Sequence, residues 1–78
     1  VDIPEDLIVL ERATEEQRAR LAGLDGEEFD AQHRAWRAAA QAAQAAIADH
    51  AAVSGQSVEG VERAVKRAVR QAEEDPAG

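Results

Sequence analysis

The chain has 78 residues, a formal net charge of −7 and no cysteine. One small domain over residues 1–78 is expected, and disulfides cannot supplement its limited core. The acidic balance disfavours non-specific attraction to nucleic acid or anionic lipid, and no apolar run approaches the ~20 residues of a membrane span.

The first helix is expected over residues 4–22. Pro4 suits a first helical position, because its missing N–H has no partner there. Asp2 is a candidate cap, and Glu5 and Asp6 complement the positive end of the helix dipole. Gly23 is a suitable stop.

The second helix, 26–54, has a stronger start. Asp25 and Glu28 have the spacing of a capping box, and Leu24 and Phe29 that of a hydrophobic staple. No Gly or Pro interrupts the chain from there to Ser54, and Gly55 ends it. Ser57 is the natural cap of a third helix, 58–74, with Gly60 in its first turn. Residues 75–78, "DPAG", cannot extend it and should fray. Val58, Val61, Val65 and Val69 follow helical spacing, so no strand is expected.

The fold class predicted is therefore all-α: an antiparallel helical hairpin, coiled-coil-like with an alanine-rich seam, and a shorter third helix packed on it. In the first helix Ile3, Leu7, Leu10, Thr14, Gln17, Leu21 and Leu24 step by four and three. In the second, Phe29, His33, Trp36, Ala40, Ala43, Ile47 and His50 do the same. A turn at Asp25 pairs Leu21 with Phe29, Gln17 with His33, Thr14 with Trp36, Leu10 with Ala40, Leu7 with Ala43 and Ile3 with Ile47. Leu meets Ala and Trp meets Thr, so large and small side chains alternate across the seam. The third helix, folding back at Gln56, should bring Val65 to Ile47 and Val69 to Ala43.

His33 and His50 are separated by about 25 Å along one helix at 1.5 Å per residue, too far to share a metal. A pH switch is the functional reading of such residues, but His33 is expected to hydrogen-bond Gln17, or to reach water, and so help fix the register. No metal, cofactor or small-molecule substrate is expected. Nor is catalysis: Glu15, Glu16, Glu27, Glu28 and Asp30 read as solvated helix faces. Asp49 and His50 have no Cys or Tyr nucleophile in the chain, and GLDG at 23–26 is too short for a phosphate loop.

Two features bear on partners. Ile8 and Val9 extend the apolar surface of the first helix beyond one seam, and Trp36 is expected beyond the reach of the third helix. These three are the candidate interaction residues, and protein–protein interaction with self-association, most simply a homodimer, is the expected function. Arg63, Lys66, Arg67 and Arg70 form a basic stripe opposite the valines, a candidate contact for phosphate or an acidic partner. The stretch "IADHAAVSGQSV", residues 47–58, resembles the helix-turn-helix of LacI-type repressors. Ala48, Ala51, Val53, Ser54, Gln56, Ser57 and Val58 fall in compatible places, and Ala52 replaces the turn glycine. That resemblance implies, as the alternative, a small DNA-binding regulator using residues 47–65. With an acidic start, "VDIPED", no signal peptide is expected, and a cytoplasmic location follows from that and from the absence of cysteine.

Overall fold

The computed structural model describes residues 3–74, so the candidate cap Asp2 and the tail 75–78 lie outside the described residues. Among the described residues three helices follow one another and no strand forms: α1 (Glu5–Ala19), α2 (Gly26–Ser54) and α3 (Val58–Glu74).

Pro4 is the N-cap of α1 rather than its first helical residue. Its backbone is extended, with φ −56° and ψ 139°, and its carbonyl accepts the Leu7 N–H at 3.1 Å. At the other end α1 stops at Ala19, three residues short of the expected Ala22. The Leu21 and Ala22 amides bond the Arg18 and Ala19 carbonyls, at 3.0 and 3.3 Å. These bonds reach three residues back, the tighter winding common where a helix ends. Gly23 therefore closes a turn, not the α-helix itself.

α2 begins where the capping signals put it, but the box is not made. Asp25 is the N-cap and its side chain forms no cap bond. The reason is Gly26, whose φ of 60° is left-handed. A first residue outside helical geometry turns the early N–H groups away from the Asp25 carboxylate. At the far end Gly55 takes φ 74°, and the Gln56 N–H bonds the Ala51 carbonyl at 3.0 Å, a closure of the Schellman type. α3 is capped as expected, with Ser57 Oγ accepting the Gly60 N–H at 3.0 Å.

α1 and α2 share the largest interface, and α3 packs on both. The hairpin is antiparallel. Gln32 Nε2 donates to the Gln17 carbonyl at 2.7 Å and to Gln17 Oε1 at 2.8 Å. The partner of Gln17 is thus Gln32, one residue from the expected His33. One amide NH2 satisfies two acceptors at once, which a neutral imidazole with a single N–H cannot do.

The core forms where the start of α1, the end of α2 and the start of α3 meet. Leu7, Ile47, Ala51, Val61 and Val65 are its buried members, with Ile3 and Ala46 packed against them. Ile3 and Val65 thus join the cluster that holds Ile47, in line with the heptads for the first and the fold-back at Gln56 for the second. Ala43 and Val69 are buried as well. Burying a Val, Leu or Ile side chain contributes ~1.5–3 kcal/mol, so these few residues carry most of the stabilisation. The valine stripe loses cover at its start, where Val58 is exposed.

The Cα extents are 42 × 33 × 16 Å. The first is the length of α2, 29 residues at ~1.5 Å each. Three helices at the usual 8–10 Å spacing would span only about 15 Å in either cross direction if bundled in a triangle. The 33 Å width means that the helices splay into a plate. The radius of gyration is 14.0 Å, against ~11.5 Å for a compact chain of this length. The accessible surface is 5585 Å², about 1,000 Å² beyond the ~4,600 Å² of a compact monomer of this mass.

Candidate functional site

On one face of the plate α1 and α3 stand apart over α2. The cleft between them measures about 520 Å³ and is walled by Glu11, Glu15, Arg18, Ala19 and Ala22 from α1 and by Lys66, Arg70 and Glu73 from α3. It continues into a hollow of about 220 Å³ whose floor is Trp36, Ala40, Ala43 and Gln44 of α2, with Thr14 and Glu62 at its sides.

The helical repeat builds both walls. Glu11, Glu15 and Arg18 step by four and three, so they share one face of α1. Lys66, Arg70 and Glu73 have the same spacing on α3. Each outer helix runs antiparallel to α2, so α1 and α3 run parallel to each other. Leu7 packs with Val61 and Val65, and one turn on Glu11 feels both Glu62 and Lys66, which brings the starts of the two rows to about one level. Glu11, Glu15 and Arg18 therefore look across the cleft at Lys66, Arg70 and Glu73, opposite in sign at every level.

Glu11 is the one buried charged residue among those described, 9% exposed. Burial raises its carboxyl above its ordinary value of 4.5; Lys66 pulls it back, and Glu15 and Glu62 push it further up. Among the described residues no buried side-chain polar atom lacks a partner while shut away from solvent, so the carboxylate is served by the open cleft.

On α2, running away from the hollow, Trp36, His33 and Phe29 stack in series. The Phe29 and His33 rings lie 5.9 Å apart and 20° from parallel. His33 and Trp36 meet edge-on at 5.3 Å and 67°. Both pairs fall in the range where aromatic contacts are favourable. Phe29, expected under Leu21 in the seam, is 36% exposed.

The candidate interaction residues do not form one patch. Ile8 and Trp36 are half-buried and Val9 is 58% exposed. Val9 lies about 160° around α1 from Glu11 at 100° per residue, so it faces away from the cleft that Trp36 floors. Trp36 is also within reach of α3, since Glu62 and Lys66 share its hollow. From sequence alone α3 ends level with Ala40, short of Trp36; the hollow instead has Trp36 on its floor and Glu62 and Lys66 at its side.

The basic stripe divides. Lys66 and Arg70 wall the cleft opposite the glutamates of α1, while Arg63 and Arg67 are exposed on the outer face. The cleft rows as a set escaped the sequence reading. Their signal, two equal spacings of opposite sign, becomes visible only once α1 and α3 are known to run parallel. The LacI-like stretch is not bent where the resemblance places its turn, because α2 continues unbroken through Ala51–Ser54. Among the described residues, no three His, Asp or Glu side chains gather as a metal site, and no helix is long and apolar enough to cross a membrane.

No protein-family model matches the chain, and no curated protein or solved structure is significantly similar to it.

Proposed function

We propose that this protein is a small helical interaction module that assembles with other protein chains, first of all with itself, and that it performs no catalytic step. The observation that carries the reading is the surface excess: 5585 Å² exposed where a compact monomer would expose ~4,600 Å². A plate-shaped helical chain with a short core gains stability by covering a face. Apolar side chains at the surface add to the argument, with Val9 58% and Val53 89% exposed. Closed two-fold dimers are the commonest form such covering takes. A cytoplasmic setting belongs to the same proposal and rests on the absence of cysteine.

Sedimentation equilibrium over a hundredfold concentration range is the test. A mass rising towards twice 8.3 kDa is the expected result. A strictly monomeric chain, with Trp36 fluorescence already blue-shifted at the lowest concentration, would overturn the reading.

A further inference from the structure

We infer that a second copy of this chain docks face to face on the α1/α3 cleft, about a two-fold axis running along the cleft. Glu11, Glu15 and Arg18 of one copy then lie on Lys66, Arg70 and Glu73 of the other. The inference rests on the self-association proposed above and names its surface and geometry.

Charge decides the geometry. The two rows are parallel, level and opposite in sign, and they wall one open cleft. A two-fold axis parallel to the helices lays α1 of the partner over α3, in the same direction and at the same level. Every charge in the row meets its opposite, twice over by symmetry. An axis running across the cleft would instead set Glu15 on Glu15 and Arg70 on Arg70, leaving only the Glu11–Arg18 and Lys66–Glu73 contacts opposite in sign. Juxtaposed like charges oppose association, so the first arrangement is selected.

Area is in the range that association needs. A stable dimer buries ~800 Å² on each partner, and the chain exposes about 1,000 Å² more than a compact monomer. Trp36 on the cleft floor has apolar neighbours in Ala40 and Ala43 and charged walls above. An apolar centre with a polar rim is the usual anatomy of an interface.

A charge swap tested in trans separates this arrangement from attraction within one chain. Glu15 and Arg70 are both exposed, so Glu15→Arg and Arg70→Glu leave the core untouched. Each variant alone places like charges across both symmetric contacts and should weaken self-association roughly tenfold or more. Mixed in equal amounts, the two restore opposite charges between chains, and the sedimenting mass should return to that of the wild type. Arg18→Glu with Glu73→Arg repeats the test one turn away, and circular dichroism confirms that each variant keeps its helices. A wild type that dimerises while the variants also dimerise unchanged, or while their mixture does no better than either alone, overturns this inference and leaves self-association standing. A monomeric wild type overturns both.

Discussion

A carboxylate at the edge of a core is a cost that titrates. Glu11 lies one turn beyond the buried Leu7, and its carboxyl is raised above its ordinary value chiefly by burial. The folded state then binds the Glu11 proton more tightly than the unfolded chain does. Stability contributed by that proton is full below the ordinary value of 4.5 and is lost as pH climbs to the raised folded value. At neutral pH the ionised group opposes folding. Glu11→Gln keeps the shape and removes the charge, so we expect it to raise the urea midpoint at pH 7 at concentrations where the chain is monomeric, away from the dimer contact with Lys66. The gain should shrink towards nothing as pH falls below the ordinary glutamate range. A variant less stable than the wild type at pH 7 would mean that Lys66 contributes more than burial costs. At the same scale Gly60 finds a local reason. A Cβ there would sit 2.9 Å from Ser57 Oγ, against the hydroxyl that caps α3. The lower helix propensity of glycine is offset by a cap worth ~0.5–2 kcal/mol. The Ser57 cap was legible because only Ser57 precedes the valine stripe at the right distance. The failed box at Asp25 was not, because the conformation of one glycine decides it.

Between elements, alanine does the work of fitting. Ala43 is buried at 4% exposure, a small residue in a filled position of α2, while Leu7, expected opposite it, packs with Ile47 and Ala51 further along the helix. Ala43→Leu should destabilise by roughly 1–3 kcal/mol, since extra methylenes in a filled site force its neighbours aside. Ala38 and Ala45 are exposed, and their replacement by Gln should change stability by less than ~0.5 kcal/mol. Equal denaturant midpoints for the two kinds of substitution would show the seam to be misplaced. At Gln17 the hairpin register was legible to within one residue from the heptads alone. The choice of Gln32 over His33 was not, because both lie near the seam and only the geometry of two facing acceptors separates them.

For the whole molecule, the distribution of charge bears on nucleic acid. Net charge is −7, and the basic stripe that could meet phosphate is divided, with Lys66 and Arg70 turned to the acidic wall of α1. Binding through phosphates requires several free cations on one surface and weakens steeply with salt. We expect no detectable association with mixed-sequence duplex DNA at physiological salt in an anisotropy titration. Micromolar binding that falls steeply with added salt and disappears in Arg63→Ala/Arg67→Ala would restore the repressor-like alternative.

Local rules were enough to place α2 and α3, cap α3, pair α1 with α2 and put the valines of α3 inward. Each of these depends on residues within a few turns of one another, or on a periodic face that can be buried in only one direction. The end of α1, the shape and the cleft depended on tertiary structure. How far α3 leans from α1 follows from the balance of packing at one end against charge and solvation at the other, and no single segment encodes that balance. The same lean turned Trp36 from a stranded side chain into a floor, separated Val9 from it, and set two rows of opposite charge level across a gap. Spacing along a helix is written in the chain; which helix faces it, and at what distance, is decided only when all three have packed.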